Sequence, residues 1–166
     1  KQFHYSDVTK ARRSVMAAVR ESFEETGILL SGEDEQDVVE RSSTTELMTW
    51  REAVADQDKS FAHFLSSSGL SIRADLLRPV ARWQSPDFFL KRYDIAYFTT
   101  ALPVGQDPKL LLGKGVWGDW LNVRELLEAR DTSELGDRIG QPNTVGRRLE
   151  ELVTPGVMCM LESLAR

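Results

Sequence analysis

Three glutamates, Glu21, Glu24 and Glu25, fall within two helical turns of one another with no lysine among them. On a wheel of about 100° per residue they share one arc of roughly 100°, opposite the arc holding Val15, Met16, Val19 and Phe23. One face is core and the other is carboxylate. Like charges on adjacent turns repel, which costs helix stability unless a cation sits between them. Mg²⁺ takes oxygen ligands, keeps several waters and typically engages one or two carboxylates together with substrate phosphates, so this face suits a metal-bound diphosphate. The plainer alternative is a solvated acidic helix face.

The helix that must position these carboxylates runs from about Asp7 to Thr26, with apolar residues at i, i+4 and i+8, and Gly27 stands where a left-handed C-cap belongs. Ile28 to Leu30 continue it as a short apolar segment. Residues 31–43 are polar and acidic and read as a surface loop. Two helical stretches follow, Thr45 to Ala55 and Lys59 to Leu65, broken at Asp56 to Asp58, as an inserted helical hairpin within about residues 33–68. Leu76 to Trp83 and Phe89 to Leu102 are strand-like, with Ser85-Pro86-Asp87 as the turn between them. Arg124 to Ala129 reads as a helix, and two short helices close the chain, opening at Asn143/Thr144 and at Thr154-Pro155. Interleaved strands and helices give an α/β or α+β class in one domain over residues 1–166.

The bulk properties limit the function. At 166 residues the chain can bury about 70% of its unfolded surface in a single core. A net charge of −5 without a basic tract argues against attraction to nucleic acid or an anionic membrane. An anionic substrate therefore needs a cation or a local basic patch. One cysteine, Cys159, leaves no internal disulfide and no cysteine zinc site, in keeping with a cytoplasmic setting. Apolar runs are all shorter than the roughly 20 residues that span a bilayer.

The segment Arg20-Glu21-Ser22-Phe23-Glu24-Glu25-Thr26-Gly27-Ile28 resembles the second half of the Nudix box, R-E-x-x-E-E-x-G followed by an apolar residue. The resemblance implies a Nudix-type α/β/α sandwich with a mixed sheet and a helical insertion. It implies a Mg²⁺-dependent hydrolase, with Mn²⁺ as a substitute. Glu21, Glu24 and Glu25 would hold the metal, one of them activating water, while Arg20 braces Glu24. The first half of the box is absent: Arg12 and Ser6 stand where its glutamate and glycine belong. Two explanations are open, degeneration to a fold that binds without cleaving, and an insertion whose glycine lies upstream of Lys1. We adopt the second, since the chain also begins without Met.

A wider similarity over most of residues 15–152 supports that choice. AAVRESFEETGILL, LLRPVARWQSPDFFLKRYDIAYFTTALPVGQ and QPNTVGRRLEEL resemble the branch of the family that contains the peroxisomal coenzyme A diphosphatase and its bacterial relatives, which carries an insertion within its box. The implied substrate is a nucleoside diphosphate linked to another moiety, with CoA or acyl-CoA cleaved to 3′,5′-ADP and phosphopantetheine or its acylated form. The resemblance also allows a homodimer. The rival function is a catalytically silent Nudix-fold module that binds a nucleotide to regulate a partner.

Other signals are weaker. Arg82 and Arg92 could meet substrate phosphates through their guanidinium forks, or pair with Asp87 and Asp94. Trp83, Tyr93 and Phe98 could stack on an adenine, though strand packing is the simpler reading. Gly113-Lys114-Gly115-Val116-Trp117-Gly118 matches G-x-G-x-x-G without the strand and helix that a dinucleotide site needs, and reads as a flexible loop with Asp119 as its nearest carboxylate. His4 and His63 lack partners at ligand spacing, His63 lying beside the apolar face of its helix. Cys159 reads as a core residue.

Overall fold

The structure is a computed structural model that describes residues 7–40, 44–111 and 113–166 of the chain. The class is α+β, with helices and two small two-stranded sheets. The chain divides into two compact units, one drawn from the described residues of His4–Arg78 and Thr99–Gly118, the other from those of Pro79–Phe98 and Asp119–Arg166.

The first unit is built on α1 (Val8–Thr26), whose boundaries are set by chemistry already visible in its sequence. The Asp7 carboxylate accepts the Thr9 N–H at 2.8 Å, satisfying an otherwise orphaned amide at the N-terminus. At the other end Gly27 takes φ 79° and returns its N–H to the Phe23 carbonyl. Val19 and Phe23 of α1 are fully buried. They meet α2 (Thr45–Ala55) and α3 (Phe61–Ser67), the expected helical hairpin. Phe23 stacks on Phe64 at 5.1 Å between centroids, and Phe61 and Trp50 tilt against Phe64 at 5.8 and 5.4 Å. The hairpin is therefore part of this unit's core and no appendage. His63 lies edge-on to Trp50 at 5.7 Å.

Ile28, Leu29 and Leu30 are buried beside this cluster. Their backbone is satisfied by a side chain that sequence reasoning missed. Gln106, buried to 5% exposure, accepts the Leu29 N–H at 2.8 Å and donates to the carbonyls of Leu29 and Val39 at 2.9 and 2.6 Å. An amide side chain carries one acceptor and two donor hydrogens, so it can replace a strand partner for one residue. Residues 31–43 are not all loop. Ser31–Gly32 form β1, antiparallel to β2 (Ser71–Ile72) in the register Ser31 to Ile72. Gly32 is required there, because a Cβ would stand 2.1 Å from the Asp37 carbonyl oxygen.

The hydrogen-bonded pair β3 (Arg78–Gln84) and β4 (Asp94–Thr99) belongs, from Pro79 to Phe98, to the second unit. Both are shorter than expected. Ala74–Leu76 form a 3-10 turn before β3, while Pro86 to Phe89 make a turn in which Phe89 N–H reaches the Pro86 carbonyl at 3.1 Å. Among the described residues four helices complete this unit, α4 (Val123–Glu128), α5 (Glu134–Ile139), α6 (Leu149–Leu152) and α7 (Pro155–Leu164). The helix expected at Asn143/Thr144 is a turn instead, because the Thr144 hydroxyl is spent on Gln141 and Gly136. Trp83 and Tyr97 enclose Gly156, where a Cβ would lie 2.6 Å from the Tyr97 hydroxyl, so Trp83 serves packing. Cys159 is exposed, against expectation. On α7 it points roughly 130° away from the middle of the arc that carries buried Gly156 and Leu161. Among the described residues the strands pair two by two.

Candidate metal and diphosphate site

The carboxylates stand on the last two turns of α1, and the carbonyls beneath them are tied down one by one. The Thr26 hydroxyl donates to the Ser22 carbonyl at 2.7 Å, Gly27 N–H to Phe23 at 3.0 Å, and Lys109 N–H to Thr26 at 2.8 Å. The Glu24 carbonyl takes the Nε–H of Arg51 on α2 at 3.1 Å. A helix C-terminus ordinarily leaves these carbonyls to water and frays. Here the turn that bears Glu24 and Glu25 is held from two sides.

Arg51 was not singled out from the sequence. It is 1% exposed, and its Nη1 and Nη2 have no hydrogen-bond partner among the described residues. Burial lowers its pKa, while the charges of Glu25 and Glu52 oppose the shift. Its position explains Gly27 a second time, since a Cβ there would lie 3.0 Å from Nη1.

Arg20, Glu21 and Glu24 are brought together as the spacing suggested. Arg20 contacts Glu21 at 3.3 Å and, one turn on, Glu24 at 3.5 Å. The Glu24 side chain is only 19% exposed. Burial raises its pKa above the ordinary glutamate value; Arg20 and Lys114 oppose the rise and the neighbouring Glu21 and Glu25 add to it. Glu25 is exposed. Among the described residues no closed group of three or more His, Cys, Asp or Glu side chains is arranged as a metal cage. The donor set nonetheless fits Mg²⁺, which needs only one or two carboxylates and completes its shell with water and phosphate oxygens. The mutual repulsion visible at Glu24 is the kind that a cation relieves.

Arg82, Arg92, Tyr93 and Asp119 belong to the other unit. Arg82 forms a two-pronged pair with Asp94, at 2.7 Å through Nε and 2.5 Å through Nη2. Arg92 pairs with Asp87 at 3.1 Å and donates to its carbonyl at 3.2 Å. Tyr93 is exposed under the Lys91 ammonium, 5.2 Å from its ring centre. Asp119 pairs with Arg138 and accepts the Trp120 N–H at 2.7 Å, contacts that hold its carboxyl below the usual range. Arg12 is exposed on α1, and Ser6 and His4 lie outside the described residues. No helix among the described residues is long and apolar enough to cross a membrane. Comparison with models of protein families, with curated proteins and with solved structures gives no match.

Proposed function

We propose that this chain is a Mg²⁺-dependent Nudix hydrolase that cleaves the diphosphate bond of a nucleoside diphosphate linked to another moiety, with CoA and acyl-CoA as the substrates its sequence resemblance favours. The observation that carries the reading is the Arg20 to Glu24 pair on a helix end closed by left-handed Gly27, with Glu21 and Glu25 on the same face. The finer fold that goes with it is the Nudix-type α/β/α sandwich, with α1 as the box helix. Mn²⁺ is expected to substitute for Mg²⁺.

A bound Mg²⁺ would supply charge neutralisation at the diphosphate and acidify a water for attack on phosphorus. The chain's own part is positioning. Arg20 holds Glu24 in place, Arg51 and Lys109 fix the backbone under it, and the raised proton affinity of Glu24 suits it to accept a proton. Glu21 and Glu25 remain as oxygen donors.

A second reading rests on Arg12, an exposed cation on α1 where the full box has a glutamate. A box so altered could bind a nucleotide and regulate a partner without cleaving. Product analysis decides: release of 3′,5′-ADP from CoA supports the hydrolase, whereas nucleotide binding without turnover supports the module.

A further inference from the structure

The stretch Gly113 to Gly118, which lacks the context of a dinucleotide fingerprint, has a defined placement in the unit that carries the carboxylates. Its approach is anchored on α1 by the Lys109 N–H at the Thr26 carbonyl. It then folds back on Leu110, whose methyls would lie 3.2 and 3.3 Å from a Cβ at Gly115 and 3.3 Å from one at Gly118. Gly113 takes φ 81° with nothing within 4 Å of a Cβ position. Lys114 is thus displayed between two glycines. Its ammonium lies 3.0 Å from the Asp56 carboxylate and 3.4 Å from the Ala55 carbonyl, at the end of the same α2 that grips Glu24 through Arg51. Ala55 stands one helical turn along α2 from Arg51, whose Nε–H meets the Glu24 carbonyl at 3.1 Å, so Lys114 sits beside the turn that bears the carboxylates.

A diphosphate approaching three glutamates on a chain of net charge −5 must be received by positive charge. Arg20 is engaged by Glu21 and Glu24, and Arg51 is buried. Lys114 is 45% exposed, and its partner Asp56 is 61% exposed. Such an exposed pair is worth at most about 1 kcal/mol, so it releases easily. We propose that Lys114 is a substrate-positioning residue, whose ammonium leaves Asp56 to bind a phosphate oxygen of a diphosphate held at the carboxylates of α1. The inference rests on the proposed hydrolase site and adds a phosphate ligand to it.

The test is equilibrium binding of inorganic pyrophosphate in the presence of Mn²⁺, and of Mn²⁺ alone, to the whole chain and to Lys114→Gln, Lys114→Arg, Asp56→Asn and Glu24→Gln. Losing one charge-assisted contact predicts that Lys114→Gln weakens pyrophosphate about tenfold. Mn²⁺ alone should bind this variant as tightly as wild type or more so, because a cation has left the neighbourhood of Glu24. Lys114→Arg should stay within about threefold of wild type, since the charge is retained. Asp56→Asn breaks the same ion pair but keeps the ammonium, and should bind pyrophosphate at least as well as wild type. Equal pyrophosphate affinity in Lys114→Gln and wild type, with Mn²⁺ binding lost in Glu24→Gln, overturns the role of Lys114 alone. So does an Asp56→Asn loss as large as that of Lys114→Gln, which would make the ion pair a structural clamp. Unchanged Mn²⁺ and pyrophosphate binding in Glu24→Gln overturns the site reading and the inference with it.

Discussion

Arg51 donates its Nε–H to the Glu24 carbonyl while its two Nη groups stay buried without a hydrogen-bond partner among the described residues, so α2 grips the carboxylate-bearing end of α1 with a guanidinium that is only partly satisfied. Replacing a buried ionic group by an apolar one of similar volume is often neutral or stabilising, by about 1–4 kcal/mol. Arg51→Met, which keeps the stem, should therefore unfold in urea at or above the wild-type midpoint. Arg51→Ala opens a cavity and should cost about 3 kcal/mol. A midpoint for Arg51→Met well below wild type would show that the bond from Nε to Glu24 outweighs the cost of burying the guanidinium and contradict this picture.

Gly27 carries two constraints, a φ of 79° and the nearness of Arg51 Nη1. Gly27→Ala should cost about 1–2 kcal/mol from the backbone conformation alone, a fall of a few degrees in the melting temperature. In an Arg51→Met background the cost should shrink, because the contact is relieved while the backbone strain remains. Equal costs in both backgrounds would show that the guanidinium plays no part.

Gln106 offers three hydrogen bonds to the backbone of Leu29 and Val39 from a buried position. Gln106→Leu leaves those groups unpaired and should cost about 3 kcal/mol, with hydrogen exchange at the Leu29 amide accelerated to the same degree. An unprotected Leu29 amide in the wild type would refute the clamp.

Glu24 gives a pH signature. Its folded pKa lies above the ordinary 4.5. Between that value and the raised one the folded chain binds more protons than the unfolded chain, so this group's contribution to stability falls as pH rises through the window. Glu24→Gln should melt above wild type at pH 7, and the difference should vanish below about pH 4.5. Mg²⁺ should raise the wild-type melting temperature at pH 7 and leave Glu24→Gln unmoved. A Glu24→Gln variant that melts lower at pH 7 would contradict the sign.

How much of this was legible depended on distance along the chain. α1 was readable from end to end, because Asp7, the apolar stripe and Gly27 act through neighbours within one or two turns. The Arg20 to Glu24 brace was readable for the same reason. Arg51 and Gln106 were not, since their partners lie 27 and 77 residues away and nothing local distinguishes a buried arginine or glutamine from a surface one. The place of Lys114 is not readable locally, because a glycine-rich loop acquires meaning only from what it is anchored beside. The strands were overextended for a related reason. Phe89 and Leu90 have strand-like composition, but the turn from Pro86 to Phe89 takes them out of the ladder. Cys159 was misplaced because α7 is apolar over much of its circumference, so composition does not say which face is buried.

The most direct test of the central claim is product formation from CoA, acyl-CoA, ADP-ribose and NADH with Mg²⁺, comparing the intact chain with Glu24→Gln and Glu25→Gln. Cleavage of a diphosphate bond is expected, with CoA giving 3′,5′-ADP, and a loss of at least about a hundredfold in each variant. No cleavage of any of the four, with nucleotide binding intact by calorimetry, would contradict it and leave a binding module.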